Sequence, residues 1–402
     1  MKLLVGSVLV GAINAVVYMA FEYIVHHGTD YIWRDLFNTD TVRWGVIPLA
    51  IALSLLLSIV IKLFGQNRLV KPHLNPIEDN DNKPEQPASV RAMAIIFAIG
   101  LVSLLAGASL GPEASLAAIS TMLGLWVATQ TKLNQAAKLL VASSVGALLV
   151  AFFNSLLLIL VPVLLIYQAQ KNLKLELLLP PALAGLASYA VIQLMGGHAF
   201  GSIPAPDELK LVDVITAFIL GALCWPIARS LFALIAKSYK FIDRVNKHLP
   251  WYVTALTIGL VLGLLYFVGG PTVEFSGNEG TPELVSNSAS YSTMALIGLL
   301  IVKLLVTGWS LAAGYRGGLV FPSIYVGVAL SLVLKSTSDN LSEVGLMVGS
   351  IAGIFTALLG SPGVSLVMTA SLVPAKLMVL AVSGIAGTIL AKKLLQTTGK
   401  SA

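Results

Sequence analysis

Residues 107–124 read GASLGPEASLAAISTMLG, and residues 313–330 read AGYRGGLVFPSIYVGVAL. Each runs from a glycine-rich turn through a proline into an apolar helix with small residues, and the two lie in opposite halves of the chain. Interrupted apolar segments at corresponding places in two halves mark an inverted-repeat transporter whose substrate site lies near the bilayer midplane. Irregular backbone is tolerated at that depth only where it is buried in protein or lines a polar cavity.

The first turn carries an acid. Pro112 suits the first position of a helix, where its missing N–H would have no partner anyway, so Glu113 falls in the first helical turn. The positive end of the helix dipole and the free amides there, that of Ala114 included, stabilise a carboxylate and would equally hold an exogenous anion. A charged Glu113 then occupies an anion site that a protonated one vacates, which is a gate by competition. The bland alternative is a capping Glu at a membrane surface, but intramembrane acids are functional by default. In the second turn Gly317 and Gly318 let the backbone approach a ligand closely. Gly318, Leu319, Val320 and Phe321 offer amides at another helix start, and no acid lies among them. Such a nest suits an anion and repels a cation; its bland counterpart is an ordinary tight turn between spans.

Outward from these turns the chain is apolar almost throughout. Hydrophobic residues make up 57% and charged residues 11% of the 402, with a mean hydropathy of +0.88. A soluble chain would carry about a quarter charged residues. Apolar segments are expected at 3–25, 44–64, 91–109, 113–130, 137–167, 177–196, 211–236, 252–269, 293–313, 321–335, 343–373 and 377–392. Several are shorter than the roughly 20 residues a straight span needs, and several are broken by Gly or Pro. This predicts an all-α, multi-pass integral protein of the cell membrane. The polar stretch 65–92 reads as a loop, and 237–250 as either a surface amphipathic helix or a solvated loop.

The net charge of +6 does not imply nucleic acid. The basic residues sit in short connections between spans, where a positive-inside bias accounts for them. Cys224 alone excludes an intrachain disulfide framework. The histidines are scattered without metal-ligand spacing. Nothing resembles a nucleophile triad, a phosphate loop or a metal cluster, so neither an enzyme nor a bound cofactor is expected. The apolar run after Lys2 holds Glu22 and lacks a small-x-small cleavage site, so it reads as a retained membrane helix. Lys303, inside an apolar span, either attracts anions or is a snorkelling or helix-paired lysine. Glu279 and Glu283 read as part of a solvated loop.

With these residues in place, the chain resembles the CLC family of chloride channels and proton-coupled anion exchangers. Gly111-Pro112-Glu113-Ala114-Ser115 looks like that family's gating-glutamate motif in a Gly-Pro-Glu variant, and 304–327 is similar to its second anion-binding motif with flanks. Ser143 to Ala147 through Phe153-Asn154 resembles the helix that ends the first repeat. Ser361-Pro362 with 366–368 resembles a late helix of the second. The resemblance implies two inverted-topology repeats, 1–170 and 171–402, a homodimer with one pore per subunit, and a small anion, chloride foremost, as substrate.

The departures are specific. The first selectivity loop has its nearest counterpart in 72–76, with Leu74 and Asn75 in place of the usual serine-containing turn. The inner glutamate of the exchangers falls at Leu165 or Ile166, which carry no proton, and no tyrosine follows Tyr325 to match the late pore tyrosine. Leu319 and Phe321 stand where the fluoride-exporting branch tends to have an acid and a threonine. Cytoplasmic regulatory domains are not expected. The reading is therefore a Glu113-gated anion pathway, channel-like or weakly proton-coupled. Its rivals are a chloride/proton or fluoride/proton antiporter and, from another class, a non-transporting membrane scaffold.

Overall fold

The computed structural model describes residues 1–39, 41–64, 88–170, 174–197, 208–338 and 340–398. Leu74 and Asn75 lie outside the described residues. In chain order the α-helices are α1 Lys2–Thr29, α2 Val46–Leu63, α3 Val90–Leu105, α4 Glu113–Gln130, α5 Ala137–Phe153, α6 Leu160–Gln170, α7 Leu175–Leu194, α8 Leu211–His248, α9 Trp251–Gly269, α10 Gly280–Ser286, α11 Thr293–Ala312, α12 Val320–Lys335, α13 Glu343–Leu359, α14 Pro362–Ala370 and α15 Met378–Thr398. Among the described residues eight helical segments are long and apolar enough to cross a membrane, and shorter apolar helices accompany them. The protein is all-helical and multi-pass, as its recurring long apolar segments imply.

Local chemistry sets where the helices begin and break. Ser89, Ser292 and Ser342 each accept an N–H three residues on, from Ala92, Ala295 and Gly345, and so open α3, α11 and α13. Two of the longer apolar segments prove to be double. Residues 137–167 divide after α5 at Asn154, which takes the left-handed conformation (φ 47°) as a C-cap. Residues 343–373 divide at Gly360 (φ 67°), one of the few places where a side chain would be strained, and α14 restarts on Pro362.

Two expectations for polar stretches change. Residues 237–248 are neither loop nor separate helix; they continue α8. At about 1.5 Å per residue α8 is roughly 57 Å long, nearly twice the hydrocarbon thickness, so its basic end projects well beyond the bilayer core. The 279–286 stretch is not simply a solvated loop, because it contains α10, with Gly280, Thr281 and Leu284 buried.

Without a hydrophobic drive between helices in lipid, close backbone approach supplies much of the packing. The α8, α13 and α15 helices show it: a Cβ on Gly221 would run into the Gly384 backbone, and one on Gly387 into the Phe218 carbonyl. Asn14 ties α1 to two others, donating to Ser144 of α5 at 2.8 Å and accepting from Ser120 of α4.

The two ends of this bundle differ in charge. Lys2 and Lys132 line one surface depression together. Lys62 at the end of α2 lies over Trp251 at the start of α9, next to the basic end of α8. At the opposite ends of α1, α2 and α9 the basic residues Arg34 and Arg43 are each paired with acids, Asp30 and Glu279 for the first and Glu274 for the second. The positive-inside rule makes the lysine-rich face cytoplasmic and the acid-paired face external.

Candidate anion site

The two glycine-rich turns, 207 to 208 residues apart at the pairs that touch, meet inside the protein. Gly111 donates to the Gly318 carbonyl at 2.9 Å and Gly318 donates to the Gly111 carbonyl at 2.7 Å, a lone antiparallel bridge. Helices α4 and α12 start on either side of that bridge, so their N-termini converge. Both positions crowd the acid: a Cβ on either residue would overlap the Glu113 carboxylate and displace it.

Glu113 opens α4, with Pro112 as N-cap, and is buried at 8% exposure. Its Oε1 accepts the Phe321 N–H of α12 at 3.0 Å, while its Oε2 is buried with no hydrogen-bond partner among the described residues. The carboxylate thus belongs to one helix and caps another, at the positive end of both dipoles. An anion held by the α12 amides and the Glu113 carboxylate would compete for the same N–H.

The other residues expected at the site take unequal places. Leu319 is the N-cap of α12, and Val320 and Phe321 follow it, where helical geometry leaves amides without intrahelical partners. The Gly318 N–H is already given to Gly111, so Gly318 contributes closeness rather than a donor. Ala114 lies in the first turn of α4 but is exposed. Phe153, at the end of α5, sets its ring 6.1 Å from that of Phe321. Leu165 and Ile166 lie on α6; the first is 40% and the second 9% exposed.

Several residues that hold the turns in place carry no motif. Ser109 donates its N–H to Ser310 Oγ at 3.1 Å and pairs its hydroxyl with Thr307, and Arg316 donates its N–H to Ser103 Oγ. Each repeat's turn is thereby pinned to the helix that leads into the other's. Trp33 donates to the Leu105 carbonyl at 3.0 Å. The Tyr266 hydroxyl donates to the Gly107 carbonyl at 2.7 Å and accepts the Phe275 N–H at 2.9 Å. An aromatic residue in an apolar span gives no sequence signal for such a bridge.

Lys303 is fully buried and does not snorkel. Its Nζ donates to the carbonyls of Val273 (3.0 Å) and Phe275 (2.8 Å) and sits 4.8 Å above the Tyr325 ring. Its partners are therefore backbone carbonyls of the 270–279 segment, and it fastens that segment over the site. The histidines are less scattered than the sequence implies. His26 Nδ1 lies 2.6 Å from Glu279 Oε1, and His26 Nε2 lies 3.8 Å from Asp30. These three residues have metal-ligating atoms close together, yet Arg34 already pairs with both carboxylates. The cluster is an ion-pair network.

Comparison with known proteins agrees with this architecture. A YfeO protein of Escherichia coli O1:K1 / APEC, named as a candidate ion-transport protein, is 24% identical over 388 residues, covering 92% of this chain and 87% of its own. The crystal structure of a slow cyanobacterial Cl−/H+ antiporter superposes with a TM-score of 0.78 at 18% identity, covering 98% of this chain and 95% of that one. A CLC-type fluoride/proton antiporter gives 0.74 at 16% identity, covering 97% and 95%. These likenesses establish the fold. The family model described as voltage gated chloride channel matches residues 53–393, and with most of its length so matched the chain belongs to that family of membrane anion-transport proteins.

Proposed function

We propose that this protein passes chloride or a similar small anion through a pathway gated by Glu113, with flux poorly coupled or uncoupled to protons. The observation that carries the reading is the Glu113 carboxylate on the Phe321 amide: a tethered anion occupies the donor that a free anion would use. Protonation weakens that hydrogen bond, because a neutral acid accepts less strongly than a carboxylate. The side chain then yields the site. Glu113→Gln mimics the protonated form, and chloride efflux from proteoliposomes should become constitutive and nearly independent of pH. A variant that conducts no faster at neutral pH and keeps the wild-type profile removes Glu113 from the gate.

Uncoupled flux is proposed because a proton crossing the membrane needs titratable groups or ordered water along its whole path. By the family resemblance the inner position falls at Leu165 or Ile166, neither of which carries a proton. The antiport activities named for the two structural neighbours make proton antiport the second reading, for chloride or for fluoride. A reversal-potential measurement separates the two: impose a pH gradient at fixed anion gradients. Reversal that follows the anion alone supports the uncoupled reading, and a reproducible shift with pH overturns it; repeating efflux with each halide selects the anion. We further propose that residues 1–170 and 171–402 are the two repeats and that the functional unit is a homodimer, testable by mass measurement of the detergent-solubilised protein.

A further inference from the structure

Along α1 and its π-helical continuation Asp30–Leu36, polar residues recur every fourth position: Asn14, Tyr18, Glu22, His26, Asp30 and Arg34. Residues four apart are neighbours on a helix surface, so a polar ladder runs down one side of an otherwise apolar span. Its outer rungs form the His26–Glu279–Arg34–Asp30 network on the external face. At its deep end Tyr18 lies within electrostatic reach of both Glu22 and Glu113. Between them a partly enclosed cavity of about 40 Å³ is lined by Glu22 and Thr29 of α1, Ser276 and Asn278 of the 270–279 segment, and Pro112 and Phe321 beside the gate. A space of that size has room for water among polar partners. Among the described residues the hydrogen bond to Glu22 is a long contact from Asn278 Nδ2, at 3.5 Å, with His26 acting on it electrostatically. An ionisable residue inside a span, facing a cavity and barely paired, is functional by default.

We infer that Glu22 is the acid through which protons from the external face reach Glu113. The inference rests on Glu113 being the gate. A protonated Glu22 gives its proton across the cavity to the Glu113 carboxylate. Glu113 becomes neutral and releases the Phe321 amide, and Glu22, left as a carboxylate, is reprotonated from solvent by way of the His26–Glu279 pair. One proton moves at each step and no other reactant is needed. The charged and titratable groups that face Glu22 are Tyr18 and His26 on its own helix, Glu279 from the 270–279 segment and Glu113 from α4. Arg34 and Asp30 act on it through Glu279 and His26. Glu22 is accordingly a positioning and relay residue and does not touch the anion.

The test is anion current in planar bilayers, with the pH stepped separately on each side, for the wild type, Glu22→Gln, Glu113→Gln and the double variant. Glu22→Gln should slow the rise of current after an acid step on the external side by about ten-fold or more, the scale on which a positioned proton donor acts. The response to an acid step on the cytoplasmic side should be unchanged. In the Glu113→Gln background the Glu22→Gln change should do nothing, which also shows that the variant is folded. Unaltered kinetics in the Glu22→Gln single variant overturn the inference. So does a loss of current in the double variant relative to Glu113→Gln, because Glu22 would then act on the pore. A Glu113→Gln variant with wild-type pH dependence refutes the gate itself, and that outcome is distinct from both.

Discussion

The Tyr266 hydroxyl joins two backbone segments that no other hydrogen bond from a side chain of α9 reaches in common: it donates to Gly107 in the first glycine-rich turn and accepts from Phe275 above it. Tyr266 is fully buried. Tyr266→Phe removes one oxygen and leaves a buried carbonyl and a buried N–H without that partner. Each such orphan costs about 1–3 kcal/mol, so the loss should be about 2–4 kcal/mol after partial relaxation. At roughly 2 cal/mol/K of unfolding entropy per residue, this lowers Tm by at least about 2–5 °C; less complete unfolding in detergent makes the shift larger. Tyr315→Phe is the matched comparison. That hydroxyl is also buried, but it pairs with a single side chain, Ser54, whose rotatable hydroxyl can seek another partner, so its loss should cost about 1 kcal/mol. Thermal stability of the solubilised protein, followed by size-exclusion chromatography after heating, reads both. If Tyr266→Phe melts with the wild type, or costs no more than Tyr315→Phe, the bridge does not hold the gate turn and the argument fails.

Two further substitutions test the packing on which the site depends. Gly318→Val places a branched side chain where the Glu113 carboxylate now lies and fills the space an anion would take; chloride flux should be abolished while the protein elutes as wild type, and unchanged halide affinity by calorimetry would remove this turn from the site. Gly387→Leu drives a side chain into the Phe218 carbonyl across the α8–α15 contact, at a cost of about 1–3 kcal/mol or more for overpacking, and should lower Tm without changing halide selectivity; an unaltered Tm would show that the helices separate freely there.

Legibility in the sequence followed the physics of each feature. The spans were readable because lipid demands continuous apolar length, and the two broken segments because Gly and Pro interrupt that length at matching places. The convergence of Glu113 with Leu319 to Phe321 followed from two helix starts in opposite repeats. The division of 137–167 was not readable: Asn154 takes a left-handed conformation that its residue type permits but does not announce. Residues 237–248 misled because a helix that leaves the bilayer turns polar without ending. Lys303, Trp33 and Tyr266 act on backbone groups, and backbone partners leave no trace in residue spacing. The ladder on α1 was present in the sequence at four-residue intervals, yet judging histidines by metal-ligand spacing conceals a pattern in which one of them, His26, stands between two acids.

The distribution of titratable groups around Glu113 is the strongest physical reason to separate gating from coupling. On the external side Tyr18, Glu22, His26 and Glu279 line one approach to Glu113. Under the relay proposed above, a proton arriving there passes by way of Glu22 and the cavity to the carboxylate that caps the α12 amide. Toward the other face, the α6 position that by the family resemblance would continue a proton path falls at Leu165 or Ile166, and Phe153 sets its ring 6.1 Å from that of Phe321. Apolar groups neither carry protons nor order the water that could. On the proposed reading, a proton taken from outside opens the gate and returns to the side from which it came. Anion passage then depends on external pH without expending a pH gradient, and external acidification should raise the anion current while leaving its reversal potential at the value set by the anion gradient.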